Sequence, residues 1–157
     1  MSLSAAWVRD LTSENTLLPG AMVAVDIPIG RGQWVAIEGG VYRSQNYPVV
    51  RERSVDHIPR VTRYEASVAG RLGRSSGNGP FFQIGVGQVA QSVAVISDTR
   101  NTGRFERDEL WIGPGLGVDV RTSPRLAIRA LAEVRWFAGF KPTSRLRAGL
   151  VYRFARR

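Results

Sequence analysis

Apolar and polar residues alternate along most of this chain, in blocks separated by Gly-, Pro- and Ser-rich connectors. The clearest block closes the sequence. Leu146, Ala148, Leu150, Tyr152 and Phe154 fall on one parity, and Arg147, Gly149, Val151 and Arg153 fall on the other. Successive side chains of a strand point to opposite faces, so this segment predicts a strand with one apolar and one basic face. The same pattern predicts seven more strands. Ser2 to Asp10 alternates weakly. Ala21 to Ile29 sets Val23, Val25, Ile27 and Ile29 against Met22, Ala24, Asp26 and Pro28. Trp34 to Tyr42 sets Val35, Ile37 and Val41 against Glu38, Gly40 and Tyr42. Val61 to Leu72 sets Tyr64, Ala66, Val68 and Leu72 against Arg63, Glu65, Ser67 and Arg71.

Phe81 to about Ile96 is long and apolar. Its phase blurs at Gly87-Gln88, where a bulge would restore it. Asp108 to Val120 sets Leu110, Ile112, Leu116, Val118 and Val120 against Trp111, Gly113, Gly115, Gly117 and Asp119. Arg125 to Phe137 sets Leu126, Ile128, Ala130, Ala132, Val134 and Trp136 against Arg129, Leu131, Glu133 and Arg135.

The connectors alternate in length. Gly30 to Gln33, Gly73 to Pro80 and Arg121 to Pro124 are short turns. Leu11 to Gly20, punctuated by Pro19-Gly20, Arg43 to Arg60 and Ser97 to Arg107 are longer loops. Eight strands with no helical periodicity predict an all-β, antiparallel up-and-down barrel over residues 1–157, as one domain. Short turns then gather at one end and long loops at the other, an asymmetry expected of outer-membrane barrels.

The alternation leaves two readings open: a soluble barrel of the lipocalin kind with its apolar face inward around an apolar ligand, or a membrane barrel with that face outward. Three features favour the membrane. The apolar parity is held for the length a tilted strand needs to cross a bilayer. The other parity collects Asp26, Glu38, Arg63, Glu65, Arg71, Asp119, Arg129, Glu133, Arg135, Arg147 and Arg153 among glycines, which suits a narrow lumen filled by paired charges. Aromatic residues gather near strand ends: Trp7, Tyr64 and Trp136 toward the loops, and Phe82, Tyr152 and Phe154 toward the turns. Trp34 and Trp111 break this pattern by falling on the lumen parity.

Composition narrows the chemistry. The formal charge is +9, and among the 22 basic residues only Lys141 is not Arg. The arginines are spread through every segment and interleaved with carboxylates, unlike a nucleic-acid-binding patch. No run is long and apolar enough for a membrane helix. Met1 to Trp7 lacks the basic and apolar regions of a signal peptide, and the expectation is a leader already removed from an exported chain. With no Cys and one His, neither a thiolate site nor a metal site is expected, and no cofactor. Glu106-Arg-Asp-Glu109 is a weak divalent-cation candidate, read instead as a charged loop rim.

The Gly113-Pro-Gly-Leu-Gly-Val-Asp119 strand and the closing Leu146-Arg-Ala-Gly-Leu-Val-Tyr-Arg-Phe154 carry a resemblance to the small eight-stranded outer-membrane barrels of the OmpA and OmpX type. The resemblance covers nearly the whole chain. It implies a bacterial outer-membrane location, a monomer, and a structural, envelope-integrity or adhesion role through the extracellular loops. It implies outer-membrane lipids, including lipopolysaccharide, as partners, and the barrel assembly machinery as a partner in biogenesis. In that family the machinery reads a last strand like Leu146, Ala148, Leu150, Tyr152 and Phe154. The chain departs from the pattern by continuing through Ala155-Arg-Arg157 after the aromatic.

The family also includes outer-membrane lipid acyltransferases and deacylases, which draws attention to His57 in Ser54-Val-Asp-His-Ile-Pro59. Residues this close in one loop rarely form a relay, so a solvated loop histidine and a protein that is not an enzyme are expected. Arg43, Arg51, Arg53 and Arg60 flank the same loop. They form a possible anion-binding loop for lipid phosphates, or ordinary surface charge.

Overall fold

Period-2 segments fold here into nine antiparallel strands: β1 (Ser2–Leu11), β2 (Leu17–Gly30), β3 (Gln33–Ser44), β4 (Val50–Glu52), β5 (Val55–Gly73), β6 (Gly79–Ser97), β7 (Arg100–Arg121), β8 (Leu126–Phe137) and β9 (Thr143–Arg153). They are seen in a computed structural model that describes residues 1–11, 17–44, 50–52, 55–73, 78–97, 100–138 and 142–154. Sequential neighbours pair along the chain except β3 and β4, β1 pairs with β9, and β3 pairs directly with β5. These pairings close an eight-stranded barrel, with β4 lying outside it as a flap on β5.

The seam is regular. β1 meets β9 over an unbroken register from Ser2 opposite Arg153 to Leu11 opposite Ser144. The Phe154 N–H donates to the Met1 carbonyl at 3.1 Å and extends the seam to the turn end. The alternation of β1 is weak because its lumen face carries the small or apolar Ser4, Ala6 and Val8. Buried Val8 packs with Met22 and Tyr42.

Three connectors differ from expectation. β2 begins at Leu17, so Pro19 and Gly20 lie inside it, opposite Arg9 and Val8. Gly20 makes room rather than a turn: a Cβ there would stand 2.4 Å from the Tyr42 ring. The span from Arg43 to Arg60 is not all loop, since it contains β4 and the start of β5, which places the backbone of His57 opposite Val50 and Ser97. The span from Ser97 to Arg107 is mostly strand, because β6 and β7 continue past the barrel as a long hairpin.

The bulge expected at Gly87-Gln88 is absent. Gly87 and Gln88 stand in continuous register with Ser67 and Ala66 on one side and with Trp111 and Leu110 on the other. The blur in the sequence arises because Gly85, Gly87 and Val89 take lumen positions that other strands fill with charge. The shift in register falls at Val95/Ile96 instead. The tight turn at Arg31-Gly32 is as expected, and Gly32 adopts φ 71°, a left-handed conformation that favours glycine.

Candidate functional site: the lumen and the projecting sheet

The apolar face points out. Leu116 is 68 % exposed and Leu150 58 %, and Val23, Ile37, Tyr64, Val68 and Ile112 are likewise on the outside. The expected aromatic positions hold: Trp7, Tyr64 and Trp136 are exposed toward the loop end, and Phe82, Tyr152 and Phe154 toward the turn end. Tyr152 and Phe154 meet edge to face, with centroids 5.3 Å apart. This arrangement contradicts the lipocalin-like alternative, which needs the same residues inside.

The lumen is filled by one connected ladder of charges. At the turn end, Arg129 donates to Asp119 from Nε at 2.7 Å and from Nη2 at 2.9 Å, and to Asp26 from Nη1 at 3.0 Å. Arg153 reaches Asp119 at 3.4 Å. Arg71 bridges Asp26 to Glu38 and donates from Nε to Gln83 at 2.9 Å. Above it, Arg147 joins Glu38 at 2.8 Å to Glu133 at 2.5 Å. Ser67 donates to Glu38 at 3.2 Å, and the Gln83 amide donates to Glu133 at 2.6 Å. At the loop end, Arg135 donates to Glu65 at 3.0 Å, and Arg145 pairs with Glu65 on both nitrogens and lies 3.7 Å from Glu133.

Removing charges from water costs several kcal/mol each, and only mutual pairing with further hydrogen bonds offsets that cost. The ladder does this by sharing: each carboxylate in it meets two arginines, on two different strands for Asp26, Glu38, Glu65 and Asp119 and both on β9 for Glu133. Aromatic rings take the remaining guanidinium faces. Arg71 and Arg129 lie 5.7 and 5.1 Å from the Phe81 ring, and Arg145 lies 5.1 Å from Tyr42. Trp111, the lumen-parity tryptophan, stacks with Arg135 at 5.2 Å and packs with Val89 and Phe137. Glycines make space for these rings. A Cβ on Gly85 would come within 2.9 Å of Trp111, and one on Gly117 within 2.3 Å of Phe81. A void of about 20 Å³ beside Glu38, Arg71 and Arg147 has room for about one water molecule.

Of the lumen residues expected from parity, ten join this ladder. Arg63 stands apart in character: half-buried, it donates to Gln91 at 2.5 Å. Arg145 and Gln83, both fully buried, were missed. Parity with Arg147 was the available signal for Arg145. Gln83 was hidden in a segment read simply as apolar, although it shares the parity of Phe81 and Gly85.

The second feature is the sheet above the rim. β3 stops opposite Val61 and β8 stops opposite Trp111, while β5, β6 and β7 continue together to His57, Ser97 and Arg100. Of the expected anion-binding arginines, Arg43 is exposed near the end of β3, only the backbone of Arg51 and Arg60 is described, and Arg53 lies outside the described residues. In the Glu106–Glu109 run, Arg107 pairs with Glu109 at 2.5 Å. No group of three potential metal-ligating side chains occurs among the described residues.

No protein-family model matches the sequence, and no curated protein matches it. Solved structures do match. Ail, the attachment invasion locus protein of Yersinia pestis, superposes with a TM-score of 0.65 at 14 % identity, covering 98 % of this chain and 95 % of that one. The N-terminal barrel of Pseudomonas aeruginosa OprF gives 0.60 at 16 % identity, covering 98 % and 97 %. Neisserial surface protein A gives 0.59 at 14 % identity, covering 98 % and 95 %. The fold is that of the small eight-stranded outer-membrane barrels. Identity this low carries the fold alone, and the role of this barrel rests on its own residues.

Proposed function

We propose that this protein is an integral outer-membrane barrel that does not conduct, and that it acts as a rigid anchor presenting its projecting β5–β6–β7 sheet at the cell surface for envelope integrity or adhesion. The observation that carries this reading is the combination of an apolar exterior with a lumen blocked by interlocked ion pairs. An apolar wall facing water would aggregate, whereas the same wall in a bilayer is the normal exterior of such a barrel. A lumen sealed by arginine–carboxylate pairs leaves the surface-exposed end as the place where the protein meets partners.

That end also carries a run of arginines in the sequence. Arg43, Arg51, Arg53 and Arg60 flank the β3–β5 connection and suit the phosphates of lipopolysaccharide, which guanidinium groups bind in planar, multiply bonded pairs. The structural relative Ail has been crystallised with the polyanion sucrose octasulfate.

Trypsin added to intact cells tests the orientation. Cleavage is expected within the projecting sheet, at Arg104 or Arg107, leaving the barrel as a protected fragment. Protection of that sheet, with cutting only after the membrane is opened, would place the loop end on the wrong side and sink the reading.

A further inference from the structure

Carboxylates are divided unevenly between the two ends of the barrel. Of the 13 in the chain, Asp26, Glu38, Glu65, Asp119 and Glu133 belong to the lumen ladder. The other eight fall along β1, β4, β5 and β7 on the loop side, or in the connections there. None falls in a short turn. Arg31, Arg74, Arg121 and Arg125 do lie in or beside those turns, and Arg156 and Arg157 follow β9 in the sequence. With no carboxylate among them, these arginines account for six of the formal charge of +9. Asp26 and Asp119, the acids nearest this end, are buried and already held by Arg71, Arg129 and Arg153.

Hydrogen bonds link the turns into a rim. The Gly73 N–H donates to the Gly32 carbonyl at 2.8 Å and ties the β2–β3 turn to β5. The Arg121 N–H donates to Asn78 Oδ1 at 2.8 Å and ties the β5–β6 turn to β7. Thr122 and Ser123 donate to the Leu126 carbonyl at 3.0 and 3.1 Å, and the Arg153 N–H donates to the Arg125 carbonyl at 2.8 Å. Arg31, Arg121 and Arg125 are exposed on this rim. Each lies one or two residues from an outward apolar side chain: Ile29, Val120 and Leu126, respectively. At about 3.3 Å per residue, their backbone stands about 3–7 Å beyond the apolar wall. A headgroup layer is about 5–7 Å thick, so all three are at its depth. The exposed Tyr152, opposite Leu126, and Phe154 mark the same level on the closing strand.

We infer that the turn-end rim is a docking surface for the headgroups of anionic phospholipids, held by Arg31, Arg121 and Arg125. The inference rests on the membrane reading proposed above, in which the short turns face the periplasm and meet the phospholipid leaflet. A phosphodiester offers its oxygens to the planar guanidinium fork in paired, charge-assisted hydrogen bonds. A zwitterionic headgroup brings its own ammonium group, which competes with the arginines for that phosphate. An anionic headgroup brings no such competitor, and clustered arginines are drawn to an anionic lipid surface. The loop end, where carboxylates are interspersed with arginines, lacks this one-sided charge.

The test uses the full chain refolded into phosphatidylcholine bilayers with a trace of spin-labelled phosphatidylglycerol or spin-labelled phosphatidylcholine. The fraction of each label immobilised at the protein gives their relative affinity. Wild type is expected to hold phosphatidylglycerol about fivefold more strongly than phosphatidylcholine. The triple variant Arg31→Gln, Arg121→Gln, Arg125→Gln is expected to bring that ratio to about one. The double variant Arg104→Gln, Arg107→Gln removes charge from the projecting sheet and is expected to keep the wild-type ratio. Raising the salt from about 0.1 M to about 1 M is expected to erase most of the wild-type preference, because exposed charges are screened. Heat-modifiable gel migration reports folding in each case. A ratio of about one in folded wild type, or an equal preference in the triple variant, would overturn the docking surface while leaving the membrane barrel intact. A preference lost equally in the double variant would trace it to net charge and overturn the rim as its source. Should the triple variant not fold, a wild-type preference unchanged by salt would overturn the surface. Failure of the wild type to show heat-modifiable migration would overturn the membrane reading itself. Sedimentation with peptidoglycan sacculi that the triple variant loses, without any lipid preference, would overturn the assignment of the partner.

Discussion

At the scale of single residues, the lumen is governed by charges that cannot be left alone. Glu65 is the clearest case, because it accepts from both Arg135 and Arg145 and all three are buried. Glu65→Gln leaves two guanidinium groups facing a neutral amide. It is expected to destabilise the barrel by about 3–5 kcal/mol, measured as the shift of the urea midpoint in lipid vesicles. A shift below about 1 kcal/mol would mean the pairs are looser or wetter than the geometry implies. The glycines make a complementary point. Gly117→Val drives a side chain into Phe81 and is expected to cost about 1–3 kcal/mol, while pairing it with Phe81→Ala recovers part of the loss. No recovery in the double variant would remove the contact as the cause.

At the scale of elements, the closing strand carries a strict steric requirement. A Cβ on Gly149 would lie 2.1 Å from the Ala5 carbonyl oxygen and 2.5 Å from the Ala6 Cα, both backbone atoms of β1. Gly149→Val is therefore expected to block closure of the seam and abolish the heat-shifted band on gels. A normal shift would show that β1 and β9 meet less closely. Much of this architecture was legible in the sequence, because period-2 alternation reports which residues share a face. The parity of β8 and β9 placed Arg129, Glu133, Arg135 and Arg147 together without reference to any neighbour.

The limits of that reasoning are equally physical. Alternation reports a strand only while its two faces differ, so it faded along β1, whose lumen side is Ser4, Ala6 and Val8, and along the Gly85–Val89 part of β6. Strand ends were misjudged for a different reason. Pro19, Gly20 and Pro59 read as breakers, yet each lies inside a strand, Gly20 because Tyr42 occupies the space a side chain would take. Above the rim, β5 to β7 leave the barrel wall, and the apolar-out rule that marks strands in the wall no longer selects their side chains.

At the scale of the whole molecule, the barrel is an inverted globule: charges make the core and aliphatic side chains make the surface. The void in the lumen beside Glu38, Arg71 and Arg147 accommodates about one water molecule rather than a continuous file. Planar bilayers containing the refolded protein are therefore expected to show no steady conductance above background. Reproducible single-channel steps would mean that the ladder opens.

The inversion itself is tested most directly by the tryptophans, two of which lie on opposite faces. Trp136 is 45 % exposed on the wall and Trp111 is 2 % exposed in the lumen. Variants retaining only Trp136 or only Trp111, with the other three tryptophans replaced by Phe, are refolded into vesicles whose acyl chains carry bromine, a contact quencher of indole fluorescence. The account predicts strong quenching of Trp136 and little of Trp111, whereas quenching of Trp111 equal to or greater than that of Trp136 would contradict it.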